Sequence, residues 1–173
     1  MASVDSLFRL DGRVAVITGG AGLLGYQHAA TIAGLGGIPV LLDINGEALA
    51  ANAARLAEET GCQAPTRVAD ITDLQALEAV GQRLLAEHGR VDILINNAAR
   101  NPKVESAGDK DFSRLEHFPW EQWQLDLNVG LGGAFHHPRD RQLCQGRRCC
   151  GTCGVPARQL RPGCSGELAL YRR

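Results

Sequence analysis

One stretch limits the architecture of this chain more than any other. After Arg13, the run Val14-Ala15-Val16-Ile17-Thr18 is largely apolar and rich in β-branched residues, and it leads directly into Gly19-Gly20-Ala21-Gly22-Leu23-Leu24-Gly25. The first part reads as a buried strand, and the four glycines that follow read as a loop. A helix-like pattern follows at once, from Leu24 through His28, Ile32 and Leu35. A strand, a glycine loop and a helix in that order leave bare backbone N–H groups and a helix N-terminus facing outward. That is the arrangement which cradles a pyrophosphate, so the motif predicts a dinucleotide ligand.

The rest of the N-terminal part repeats the strand–helix alternation. Ile38–Asp43 is a second apolar run, and Gly46–Thr60 carries Leu49, Ala53 and Leu56 at helical spacing with Gly61 as its stop. Cys62–Ala69 reads as a third strand, weakened by Pro65. Thr72-x-x-Gln75 has the pattern of a capping box ahead of a helix carrying Leu74, Leu77, Leu84 and His88, which Gly89 closes. Val91–Ile95 is a fourth strand and leads into Asn96-Asn97-Ala98-Ala99. A polar loop over Arg100–Phe118 is long enough to be functional. Pro119 then suits the first turn of a helix whose apolar face would be Trp120, Trp123, Leu127 and Leu131. Gly130, Gly132 and Gly133 weaken its far end, and Pro138 stops it. Alternating strands and helices of these lengths predict an α/β fold with a parallel, doubly wound sheet.

Composition divides the chain in two. Its 173 residues carry a formal charge of -1, but residues 1–138 sum to -7 and residues 139–173 to +6. Five of the six cysteines fall in the second part. There is no basic, apolar leader at the N-terminus and no apolar run near the ~20 residues of a membrane helix, so a cytoplasmic protein without disulfides is expected. The balanced charge gives no case for nucleic acid or an anionic membrane as partner. Residues 1–138 are expected to form an incomplete cofactor-binding domain, ending after its fifth helix. Residues 139–173 have no hydrophobic period and are expected to be an irregular tail, out of frame or disordered. Their Arg, Gly, Pro and Cys content is what out-of-frame translation of a GC-rich coding sequence yields.

In order and spacing, the motifs from position 8 to 137 resemble the short-chain dehydrogenase/reductase family. The resemblance implies a Rossmann-type fold, NAD as cofactor and hydride transfer to or from a small alcohol or carbonyl substrate. It implies that Gly19, Gly22, Leu24 and Gly25 carry the pyrophosphate. The middle glycine stands at 22, as in the longer, sugar-nucleotide-acting members, where shorter members have glycine at 23. Asp43, ending the second strand, would accept the adenosine ribose hydroxyls and repel a 2′-phosphate, favouring NAD over NADP. A solvated turn aspartate before Asn45-Gly46 is the competing use. Asp70 and Ile71 resemble the pair beside the adenine, with capping of the Thr72 turn as the alternative for Asp70. Asn97 and Ala98 match the Asn-Asn-Ala-Gly segment lining the cofactor cleft, with Ala99 in place of its glycine. Asn128 matches the helix asparagine that helps hold a proton-relay water, and it is the only catalytic residue carried over.

The family's remaining chemistry, a serine and a Tyr-x-x-x-Lys pair, has no counterpart here. A tyrosine of ordinary pKa near 10 needs a neighbouring ammonium to work near neutrality. The last lysine is Lys110, the last tyrosine Tyr171 and the last serine Ser165. The chain is therefore expected to be catalytically incompetent as it stands, a non-catalytic NAD-binding remnant or interaction protein. Homo-oligomers are usual in the family, and the association is left open for this chain. The tail has two other readings. Cys144, Cys150, Cys153 and Cys164 with His136 and His137 could hold tetrahedral zinc, making the chain a zinc-stabilised binding module, on the weak signal of a single C-x-x-C without a second pair. The arginines could bind RNA, but no aromatics are interleaved for stacking.

Overall fold

The computed structural model describes residues 8–100, 116 and 118–139. Its sheet begins with β1 (Val14–Thr18), every residue of which is buried. Glycine loop and helix α1 (Leu23–Gly34) follow, then β2 (Ile38–Asp43), α2 (Gly46–Thr60), β3 (Thr66–Val68), α3 (Leu74–His88) and β4 (Ile93–Ile95). The four strands lie in the order β3-β2-β1-β4, all parallel. The chain steps outward from β1 to β3, then returns across β1 to lay β4 on its other side. This is the doubly wound fold expected from the sequence, and the crevice between β1 and β4 is its topological switch point.

The uninterrupted apolar runs of β1 and β2 follow from burial on both faces. Val14, Val16, Val40, Leu42 and Leu94 face one way, packed with Leu77, Val80 and Leu84 of α3. Ile17 and Leu41 face the other way, with Tyr26 and Ala29 of α1 and Leu49 and Leu56 of α2. Each fully buried leucine contributes about 1.5–3 kcal/mol. Gly61 and Gly89 close α2 and α3 in left-handed conformation, as their positions predict.

Several local expectations are corrected. The third strand is three residues long and does not start at Cys62, because the proline before it has no N–H to give. Pro65 contributes only its carbonyl, which accepts from Leu41 N at 2.9 Å. The fourth strand starts at Ile93, two residues later than expected. The Val14 N–H that would join a backbone ladder donates instead to the Asp92 carboxylate at 3.0 Å. Helix α3 is capped by Asp73, which accepts from Gln75 N and Ala76 N. Thr72 is outside the helix, its N–H and hydroxyl both taken by Asp70 Oδ1 at 2.8 and 2.7 Å.

Beyond the polar loop, α4 (Trp120–Leu127) has Pro119 as its extended N-cap, one residue outside the first turn expected for it, and continues through a π-helical turn over Asn128–Gly133 into α5 (Ala134–Arg139). Pro138 does not stop this helix before itself, since α5 extends to Arg139. The expected apolar face is not the packed one: Trp120, Trp123, Leu127 and Leu131 are 43–68% exposed. Docking runs through Val129 and Gly133 instead. Val129 packs against the α3-side core, and a Cβ at Gly133 would overlap Ile71 Cδ1. Residues 101–115 of the polar loop and 140–173 of the tail lie outside the described residues. Among the described residues no helix is long and apolar enough to cross a membrane.

Candidate cofactor-binding site

The site is built at the carboxyl ends of β1 and β4. Thr18, the last residue of β1, is buried, and its hydroxyl joins the two strands beyond the end of their ladder. Thr18 Oγ1 donates to the Ile95 carbonyl at 3.3 Å and accepts from the N–H groups of Asn97 and Ala98, each at 3.0 Å. Asn97 returns the contact, its amide donating to the carbonyls of Thr18 (3.0 Å) and Gly19 (3.2 Å). These bonds hold the Asn96–Ala99 segment flat against the start of the glycine loop.

The loop itself has no room for side chains where it turns. Gly19 sits at φ +67°, and a Cβ there would lie 2.8 Å from Asn97 Nδ2 and 2.9 Å from Ala98 Cα. A Cβ at Gly25 would overlap the Gly19 carbonyl oxygen, so this glycine allows α1 to close onto the loop. Gly22 is different. It is exposed, meets only the Gly19 carbonyl oxygen at 3.3 Å, and forms the N-cap of α1.

No side chain caps α1, and its first turn has no acidic residue. The first-turn N–H groups of Leu23, Leu24 and Gly25 have no carbonyl within the helix to take. By contrast, Asn45 caps α2 and Asp73 caps α3. An open N-terminus with its partial positive charge, beside a backbone stripped of side chains, fits an anionic pyrophosphate.

A cleft of about 370 Å³ lies alongside, walled by Gly19, Asp43, Ile44, Asp70, Ile71, Ala98, Arg100 and Val129, among others. Asp43 Oδ2 accepts from Ala21 N at 3.1 Å, and its Oδ1 accepts from Asn45 N at 3.0 Å. An ionised carboxylate has about four acceptor positions, so both oxygens can still take a donor from a ligand. The competing use of Asp43 as a turn residue is thus present alongside its place on the cleft wall. Asp70 likewise serves the Thr72 turn through Oδ1 while lining the cleft.

The structure therefore gathers Gly19, Asp43, Asp70, Ile71 and Ala98 on one cleft. Gly22, Leu24 and Gly25 stand at the adjoining start of α1, and Asn97 stands behind, bonded to the loop. Asn128 is not on this cleft. It is exposed at the start of the π-helical turn and lines an open groove with Trp120, Trp123, Leu127 and Leu131. Sequence reasoning passed over Thr18, Ile44, Val129 and Asn52, whose amide donates to the Gly20 carbonyl at 2.9 Å. Ile44 could have been found by its place next to Asp43; the others carry no local signal.

Residues 13–139 match the family model described as short chain dehydrogenase. The chain belongs to the short-chain dehydrogenase family. Among curated relatives, it is 34% identical over 133 residues to D-threitol dehydrogenase of Mycolicibacterium smegmatis, covering 77% of this chain and 47% of that protein. It is 35% identical over 133 residues to 2-dehydro-3-deoxy-L-rhamnonate dehydrogenase (NAD(+)) of a Sphingomonas species, covering 76% and 48% respectively. Among solved structures, the citronellol catabolism dehydrogenase of Pseudomonas aeruginosa superposes with TM-score 0.65 at 26% identity, over 77% of this chain and 50% of that one. NAD⁺-bound xylitol dehydrogenase superposes with TM-score 0.64, also at 26% identity, over 76% and 47%. This short-chain dehydrogenase chain spans about half the length of the relatives it matches. Its fold is the NAD(P)-binding Rossmann fold, and the residues of the glycine loop and cleft fit a dinucleotide.

Proposed function

We propose that this chain binds NAD(H) in the cleft at the carboxyl ends of the strands and that its 173 residues do not turn it over. The parent activity would be hydride transfer between NAD(H) and a small alcohol or carbonyl substrate in the cytoplasm. The observation that carries the cofactor choice is Asp43, a carboxylate at the end of β2, on the cleft wall, with acceptor capacity left on both oxygens. Ribose hydroxyls are donors it can take, whereas a 2′-phosphate would meet it as like charge. The naming of NAD⁺ for the Sphingomonas relative, and the NAD⁺ bound to xylitol dehydrogenase, support the same choice.

When bound, NAD supplies the hydride acceptor or donor. Gly19, Leu24 and Gly25 would hold the pyrophosphate by backbone N–H groups, with Gly22, whose own N–H goes to the Gly19 carbonyl at 3.0 Å, shaping the turn, and Asp43 would hold the adenosine ribose. Asp70 and Ile71 would border the adenine, Ala98 would line the cleft, and Asn97 would hold the segment against the loop. Proton transfer is what the chain lacks. No lysine follows Lys110, so no Tyr-x-x-x-Lys pair exists to hold an ionisable hydroxyl near the working pH.

The test is NADH absorbance with the purified chain, NAD and a panel of alcohols and sugar alcohols, against a full-length family enzyme. No measurable rate is expected. Turnover within the usual range of about 1–1,000 s⁻¹ would overturn the claim that the missing pair matters. A companion reading assigns residues 139–173 to out-of-frame translation, on their abrupt change of composition. The coding DNA beyond codon 137 should then encode an apolar strand, a serine and Tyr-x-x-x-Lys in another frame. Their absence from both other frames removes that reading.

A further inference from the structure

Asn52 is out of character for its position. It lies in the interior of α2, flanked by Ala51 and Ala53, in a helix otherwise built of good helix formers. Asparagine there is a poor choice for the helix itself, and its half-buried side chain does not cap or pair within α2. It reaches 32 residues back along the chain, and its amide Nδ2 donates to the Gly20 carbonyl at 2.9 Å.

Gly20 is the loop residue on which the other tethers converge. Its N–H donates to the Leu42 carbonyl of β2 at 3.0 Å, and the next N–H, that of Ala21, goes to Asp43 Oδ2 at 3.1 Å. A Cβ at Gly20 would lie 2.9 Å from Leu41 Cβ, so this peptide is pressed onto β2. Three hydrogen bonds from β2 and α2 thus hold two consecutive peptide units of the loop. The two peptides lead straight into Gly22 and the uncapped N-terminus of α1. Asn52 itself does not line the cleft.

We propose that Asn52 is a positioning residue for dinucleotide binding, fixing the phosphate-facing loop through the Gly20 carbonyl. The inference rests on the NAD reading above. Its effect is preorganisation: a loop already held in its bound shape has less freedom to lose when the pyrophosphate arrives. Because it acts on the loop and not on the adenosine pocket, its removal must separate ligands by whether they carry phosphate. The donor sense is also set, since the Gly20 carbonyl only accepts and the Asn52 amide N–H is the donor it meets. The isosteric carboxylate would set oxygen against oxygen.

Calorimetric titration of the full chain with NAD, ADP and adenosine tests this in the native protein, Asn52→Ala and Asn52→Asp, with thermal melts as the check on folding. If the native chain takes up no NAD, the cofactor reading itself fails, whatever the variants do. If it does, Asn52→Ala should bind NAD and ADP about three- to tenfold more weakly, the worth of one hydrogen bond, with adenosine unchanged. Asn52→Asp should weaken NAD and ADP further than Asn52→Ala does. Alanine improves helix propensity at this site, so the first variant is expected to fold. NAD affinity within twofold of native in both variants would overturn the proposal. So would an equal loss for adenosine and ADP, which marks a general structural role.

Discussion

The Thr18 hydroxyl makes three hydrogen bonds with the turn after β4 while 1% exposed. Thr18→Val keeps the shape and takes this partner from two part-buried N–H groups and a carbonyl, of which the Asn97 N–H keeps the Ile95 carbonyl at 3.1 Å. It should cost about 1–3 kcal/mol, read by urea denaturation, with Thr18→Ser close to native; a loss under about 0.5 kcal/mol would show the hydroxyl to be dispensable. Asp92 is the buried charged residue of the described core, 6% exposed. Burial pushes its carboxyl up, but the Arg90 hydrogen bonds, the Val14 N–H and the charges of Arg90 and Arg13 outweigh that and hold it below the ordinary 3.8. A depressed carboxyl contributes stability that is complete above its unfolded pKa and is lost as pH falls through the folded one. Asp92→Asn should therefore lower stability by about 1–3 kcal/mol at neutral pH, and the gap from native should close below about pH 4. A gap that stays constant down to pH 2 contradicts this account. Neither role was legible in the sequence. Thr18 reads as the end of a strand and Asp92 as its polar flank, and only the pairing of strands some 77 residues apart brings their partners within reach.

At the scale of elements, what the sequence revealed depended on whether the signal was local. Strands β1 and β2 and helix α2 matched their expected limits because burial on both sheet faces and a glycine stop are written into neighbouring residues. The start of α3 was misread by one residue because a local pattern, Thr72 to Gln75, competed with a tertiary turn in which Asp70 takes both Thr72 donors. Helix α4 was found, but its face was not. Helical spacing picks out the largest apolar residues, whereas the packed stripe is Val129 and Gly133, where a glycine lets the helix approach Ile71. Ile71 lines the cleft, so the two are linked. Gly133→Ala should push Ile71 aside, lowering stability by about 1–3 kcal/mol and raising amide exchange across residues 120–139. Unchanged exchange would mean that Gly133 does not dock this helix.

For the molecule as a whole, the four-stranded parallel sheet and its cleft fall within residues 13–139, the span that matches the family. The glycine loop predicted a dinucleotide, and the structure brings five of the expected residues onto one cleft while leaving Asn128 outside it. The residues expected at the cofactor are gathered at the carboxyl ends of the strands, whereas no Tyr-x-x-x-Lys stands among the 173 residues. The most direct test of this account is calorimetric titration of the purified chain with NAD and with NADP. One NAD should bind per chain, and NADP should bind at least about tenfold more weakly because its 2′-phosphate meets Asp43. No heat with NAD, or NADP bound as tightly as NAD, would contradict it.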